Sequence, residues 1–249
     1  IVGGGSAGCV LANRLSEDKN ISVCLLEAGP PVRGPWLQLP ISVMYAMSRP
    51  KITWQLYSTP QSQMNNRSIH MPRGKTFGGS SAINGMLYLR GQPDDYDHWE
   101  ILGNTGWGWQ DVLPYFKKSE NNEQFGGSSL HGADGPLNIR RLDTPNPINK
   151  IYQEAALSLQ YKLNDDFNGE IQEGVGVYQA TMTKGRRMSI ARAFLDPVKN
   201  RTNLTVKSES TVSRVIIENG SAKGVIICRV GQGERLTARR EVILSAGSL

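Results

Sequence analysis

At 249 residues, 39% hydrophobic and 20% charged, the chain can bury a sizeable core in one or two domains. Its net charge of +6 is spread along the sequence with no basic helix or base-stacking module, which argues against a nucleic-acid partner, and no apolar run approaches the roughly 20 residues of a membrane span. Cys9, Cys24 and Cys228 lack metal-ligand spacing and read as free, buried thiols.

The chain opens Ile-Val-Gly-Gly-Gly-Ser-Ala-Gly, a Gly-x-Gly-x-x-Gly with Gly3, Gly5 and Gly8 in the glycine places. Val2 belongs to a strand. The backbone must turn at Gly3 and approach a pyrophosphate at Gly5, while Gly8 serves helix packing. Val10, Leu11 and Leu15 fall at helical spacing, so the N–H groups near Ser6 and Ala7 face outward from a helix N-terminus, where a diphosphate fits. Ile21 to Leu26 has the apolar, β-branched character of a buried parallel strand. Glu27 stands at its carboxyl end, about 20 residues past the glycines, where a carboxylate accepts hydrogen bonds from ribose hydroxyls. Strand, helix, strand and acid in this order point to a dinucleotide, and FAD and NAD both satisfy them.

The following residues discriminate between the two cofactors. A nicotinamide-binding domain would continue promptly into further alternating strands and helices. Ala28 to Met71 is instead a long loop with brief elements, anchored by Trp36, Trp54 and Tyr57. After it comes Pro-Arg-Gly-Lys-Thr-Phe-Gly-Gly-Ser-Ser-Ala-Ile-Asn-Gly-Met-Leu-Tyr-Leu-Arg-Gly, residues 72–91. Arg73 and Lys75 precede Gly78 and Gly79, and Ala82, Ile83, Met86 and Leu87 give an apolar face, so a second loop enters a second helix. The two glycines admit a planar ring or phosphate, Ser80 or Ser81 can cap the helix, and Asn84 can offer an amide to a polar ring edge. A well-capped helix without a ligand fits the same residues.

Trp109 to Ser119 has helical spacing, with Pro114 kinking it or marking its first turn. Asn121 to Gly135 is loop-like. Beyond Gly135 to Ile139, Ile148 to Leu159 reads as a helix and Gly176 to Thr183 as a strand. Arg186 to Phe194 reads as a capped helix, Leu204 to Val230 as short strands split at Glu218-Asn219-Gly220, and Glu241 to Ala246 as a strand delivering Gly247. His70, His98 and His131 have no carboxylate or thiol at a catalytic spacing, so structural or surface roles are expected. Five N-glycosylation patterns, at Asn20, Asn66, Asn200, Asn203 and Asn219, favour a secreted protein. The chain lacks an initiator Met, and both ends fall inside strands, as expected of a fragment.

Residues 72–91 resemble the first signature of the glucose-methanol-choline oxidoreductase family. The likeness continues through Trp54 to Gln61, Asp94 to Trp99, Gly106 to Trp109, Tyr115 to Glu120, Arg187 to Phe194 and Val242 to Ser248, and is strongest to the insect glucose dehydrogenase group. It implies an α/β fold. Residues 1–135 and 190–249 would form an incomplete Rossmann-like FAD-binding domain, and 136–189 the first part of an α+β substrate domain. It also implies FAD contacts at Gly3, Gly5, Ser6, Ala7 and Gly8 around the pyrophosphate, Glu27 at the adenosine ribose, Gly79 and Asn84 near the isoalloxazine, Val212 beside adenine, and Gly247 closing the site. Ile83 stands where some relatives attach flavin through a histidine, so noncovalent FAD is expected. The implied activity is oxidation of a CH–OH group in a sugar, alcohol or steroid, with electrons passing to a quinone, dye or oxygen. An FAD-containing hydroxynitrile lyase and a flavin-binding protein without turnover are the alternatives. The family's catalytic histidine lies C-terminal to this segment, so no catalytic base is assigned and the segment alone is expected to be inactive.

Overall fold

The opening glycines lead directly into α1 (Ser6–Leu15), and the chain returns as β1 (Val23–Leu26). The computed structural model describes residues 1–31, 35–142, 146–229 and 232–249. Along it follow α2 (Ser42–Met47), β2 (Thr53–Tyr57), β3 (His70–Gly74), α3 (Pro93–Ile101), α4 (Trp109–Ser119), β4 (Glu120–Asn122), β5 (Leu137–Arg141) and α5 (Pro147–Ser158). The last strands are β6 (Gln179–Thr183), β7 (Arg186–Arg187), β8 (Leu204–Lys207), β9 (Thr211–Glu218), β10 (Ser221–Arg229) and β11 (Gln232–Thr237). Val230, the end of one expected strand run, lies outside the described residues.

The chain divides into two compact units, Ile1–Gly85 with Ser189–Leu249, and Met86–Met188. The break therefore precedes the boundary expected at residue 135. Residues 86–135 cluster with the second unit because β4 pairs with β5 and Arg90 pairs with Glu120.

In the first unit β1 runs parallel to β8, with Val23 opposite Leu204 and Leu26 opposite Lys207. Val2 bridges Leu26 and Leu244, both in parallel sense, and extends this layer. Side chains alternate across the layer as a pleated strand requires. Val23 and Leu25 pack with Cys9 and Ala12 of α1 and with Leu195, whereas Leu26 packs with Val225 and Ile227 of the β9–β10–β11 antiparallel meander. Cys9 and Ala12 are fully buried, and their small side chains let α1 lie close to the strands. A Cβ on Gly8 would collide with the Gly3 carbonyl.

Side-chain amides fasten the loops around this layer. Asn13 Nδ2 donates to Phe194 O at 2.6 Å, and Arg201 Nη1 donates to Asn13 O at 2.7 Å and Ser16 Oγ at 2.8 Å. Asn203 Nδ2 donates to three carbonyls, those of Ser16, Asp18 and Ile21, at 3.1, 3.0 and 2.9 Å.

Several sequence expectations are corrected. Residues after Gly78 form a single 3-10 turn, Gly79–Ala82, rather than a long helix, and neither serine caps it. Ser80 Oγ accepts from Gly74 N, while Ser81 Oγ donates to Gly78 O and accepts from Ile190 N. Arg186 and Arg187 pair with β6, so the expected helix shrinks to a π-helical turn, Ala191–Leu195. Glu241 to Ala246 forms only the bridge at Leu244. Pro114 lies inside α4, which continues through it. Cys9 is buried, and burial pushes its thiol up to about 12, but Cys24 is half-buried and Cys228 is exposed.

The second unit holds a four-stranded sheet ordered β4–β5–β6–β7, parallel in its first pair and antiparallel in the others. Its interior is partly ionic. His131, 1% exposed, places Nδ1 3.0 Å from Glu120 Oε1 and Nε2 2.9 Å from Asp166 Oδ2, and Arg90 closes the group on Glu120 Oε2. The carboxylate partners absent at short sequence spacing are supplied by folding. Burial opposes a charged imidazole, but the bonds to Asp166 and Glu120 outweigh it and raise its pKa from 6.5 to about 9. His70 and His98 are exposed.

A folded-state pKa above the unfolded value means that His131 contributes its full stabilisation below about pH 6.5 and loses it as pH rises through the folded value. The thermal midpoint, followed by circular dichroism, should therefore fall as pH rises from about 6.5 towards about 9. His131→Gln should lower the midpoint near neutrality and flatten this decline.

Candidate functional site

Helix α1 starts at Gly5, whose extended backbone supplies no side-chain cap, so the first-turn N–H groups keep their outward donors. Ser6 and Ala7 at this end are exposed. They face a cleft of about 670 Å³ in the first unit, bounded by the helix end, the carboxyl end of β1, the β2–β3 hairpin and the segment after Leu244. Gly3 takes φ +98°, and a Cβ there would enter the backbone of Ser245. Across the cleft Gly79 takes φ +52°, and a Cβ on it would lie 2.9 Å from Gly5 Cα. Both glycines let backbone segments at the edge of the cleft pack directly on each other.

Glu27 is 5% exposed. Its Oε2 accepts from Gly4 N and its Oε1 from Gly29 N, each at 2.9 Å. Burial raises its pKa, with the Gly29 and Gly4 amides opposing. Each oxygen keeps further acceptor capacity, so a ligand hydroxyl can add to the carboxylate without displacing the loop bonds that orient it.

The cleft brings together Gly3, Gly5, Ser6, Ala7, Glu27, Gly79, Val212 and Gly247. Gly8 is not among its lining residues, because it is buried under the helix against Gly3. Asn84 is not either; it is exposed just past the 3-10 turn, and its N–H donates to Ser80 O at 2.9 Å. Trp54, Leu56 and Arg73 line the cleft without having been expected there. The alternation Trp54, Gln55, Leu56 carried the available signal, since i and i+2 in a strand share a face. Lys75 Nζ sits 4.2 Å from the Trp54 ring centroid. Among the described residues no group of three or more His, Cys, Asp or Glu is placed to hold a metal ion, and no helix is long and apolar enough to cross a membrane.

The model of the GMC oxidoreductase family matches residues 1–249. The chain belongs to the GMC oxidoreductase family. It is 45% identical over 251 residues to an "Alcohol dehydrogenase [acceptor]" of Pseudomonas putida, covering all of this chain and 46% of that protein. It is also 45% identical over 248 residues to an "Oxygen-dependent choline dehydrogenase" of Sinorhizobium fredii, again covering all of this chain and 45% of the relative. Among solved structures, pyridoxine 4-oxidase from Mesorbium loti superposes with a TM-score of 0.90 at 33% identity, over 95% of this chain and 47% of that one. An FAD-dependent oxidoreductase from Chaetomium thermophilum gives 0.89 at 31% identity, over 99% of this chain and 45% of that one. The chain thus spans about half the length of the GMC relatives it matches.

The Gly5–Gly79 contact generates a direct test. Gly79→Ala places a Cβ against backbone at positive φ and should cost about 1–3 kcal/mol in urea denaturation. Gly85→Ala, where nothing lies within 4 Å, is the matched control and should stay within about 0.5 kcal/mol of the parent.

Proposed function

We propose that this chain is the cofactor-holding part of an FAD-dependent oxidoreductase acting on CH–OH groups. The observation that carries the reading is the cleft itself: an uncapped helix N-terminus, two bare glycine backbones facing each other, and a buried carboxylate at the end of β1. These features fit FAD part by part. The N–H groups at Gly5, Ser6 and Ala7 hold the diphosphate. Glu27, kept in place by Gly4 and Gly29, accepts hydrogen bonds from the adenosine ribose, and Val212 offers an apolar wall to adenine. Gly3 and Gly79 let the backbones that frame the cofactor's cleft pack closely, and Gly247 lets the final segment close over it. FAD, when bound, supplies the redox chemistry by accepting a hydride at N5 and passing the electrons to a quinone, dye or oxygen.

Ile83 supports a noncovalent cofactor. It offers no nucleophile, and it is 2% exposed in an apolar cluster with Leu37, Ala46, Ile52 and Ala82. We place the proton-accepting base C-terminal to this segment, as the resemblance to the family implies, and the engagement of both His131 ring nitrogens by Glu120 and Asp166 agrees with that reading. The relatives' names favour alcohols, choline included, over a sugar or steroid as substrate.

The deciding experiment is anaerobic reduction of the flavin in the whole protein. An aliphatic alcohol or choline should bleach it, whereas residues 1–249 loaded with FAD should stay yellow, since loss of a general base alone costs about a hundredfold to ten-thousandfold. A whole protein that keeps FAD but bleaches with no alcohol, sugar or steroid would instead be a lyase or a flavin-binding protein without turnover. Glu27→Ala in the whole protein should weaken FAD binding about ten- to a hundredfold in a fluorescence titration, the value of its charge-assisted bonds. Acid or denaturant should release yellow FAD into the supernatant, and flavin remaining with the precipitated polypeptide would overturn noncovalent attachment.

A further inference from the structure

The donors assigned to the diphosphate so far are neutral amides at a helix end worth roughly half a positive charge. FAD brings one negative charge on each phosphate, and the carboxylate of Glu27 lines the same cleft. Among the described lining residues Arg73 is the one Lys or Arg. We propose that Arg73 is the cationic contact of the cofactor's diphosphate, an inference that rests on the FAD reading above.

Three observations place it there. First, glycine packing brings the end of β3 to the helix end. A Cβ on Gly74 would collide with the Gly79 carbonyl, and one on Gly79 would lie 2.9 Å from Gly5 Cα, so the residue before Gly74 stands beside the N-terminus of α1. Second, Arg73 is directly opposite Trp54 in the antiparallel hairpin, and opposite residues share a face. Trp54 and Leu56 line the cleft, so that shared face is the cleft wall. Third, the side chain is available. Arg73 is exposed, its Nη1 donates only to its neighbour's carbonyl, Pro72 O, at 3.0 Å, and it forms no ion pair with another described residue. The nearby Lys75 is held over the Trp54 ring instead. A guanidinium presents parallel N–H donors that match phosphate oxygens, which an ammonium does not.

The test is FAD titration of the whole protein after flavin removal, at low and high salt, for the parent, Arg73→Ala, Arg73→Lys and Arg73→Glu. Arg73→Ala should raise the dissociation constant about ten- to a hundredfold, Arg73→Lys should recover part of the loss, and Arg73→Glu should bind more weakly than Arg73→Ala. Salt should weaken FAD binding more in the parent than in Arg73→Ala, because the variant has lost the screened charge. Thermal midpoints of the flavin-free forms should match, since the exposed side chain anchors no other element. Equal dissociation constants for the parent and Arg73→Ala, or Arg73→Glu binding as tightly as Arg73→Ala, would overturn the assignment while leaving the FAD reading intact. A parent protein that takes up no FAD would instead overturn the proposed function on which this inference rests.

Discussion

The first unit depends on backbone meeting backbone without side chains between. Gly79 approaches Gly5, Gly74 approaches Gly79, and Gly8 approaches Gly3, each too closely for a Cβ. These contacts fix where α1 begins, where the hairpin ends and how wide the cleft between them is. The cost is conformational entropy, since glycine loses more freedom on folding than any other residue. Layers on both sides offset it. Cys9, Ala12, Val23 and Leu25 pack on one face of the parallel strands, and Leu26, Val225 and Ile227 on the other.

The second unit is built on a different principle. Buried Arg90, Glu120 and His131 and half-buried Asp166 join four separate segments, with Asn122 and Gln179 completing the hydrogen bonds. Burying such charges is costly unless each finds a partner, and here the two cations balance the two carboxylates. The arrangement specifies which segments meet.

What was legible in the sequence follows the range of the forces involved. Helix α1, β1 and Glu27 were readable because spacing along a short stretch sets their geometry. The division of labour between Gly5, which faces the cleft, and Gly8, which packs, was readable from the motif, whereas the approach of Gly74 to Gly79 and of Gly79 to Gly5 required coordinates. Asn84 stands just past a single 3-10 turn where a helix was expected, and the hydroxyls of Ser80 and Ser81 in that turn bond backbone of Gly74 and Ile190, partners that no local pattern specifies. Trp54 and Arg73 reach the cleft through a strand pairing across a twelve-residue stretch, residues 58–69, of loop-like composition, and no local pattern specifies that pairing. The His131 partners lie 11 and 35 residues away, beyond any motif.

The Asn203 amide carries a consequence for modification of the chain. An N-linked sugar is attached through the Nδ2 atom that already ties the carbonyls of Ser16, Asp18 and Ile21 to the start of β8. A glycan would remove one of the two hydrogens on that nitrogen and force the ring of carbonyls apart. A sugar at this asparagine would therefore compete with the ties that hold the loop after α1 to the start of β8. The exposed asparagines at positions 20, 66, 200 and 219 show no side-chain tie of this kind among the described residues, so a sugar there would disturb no such bond.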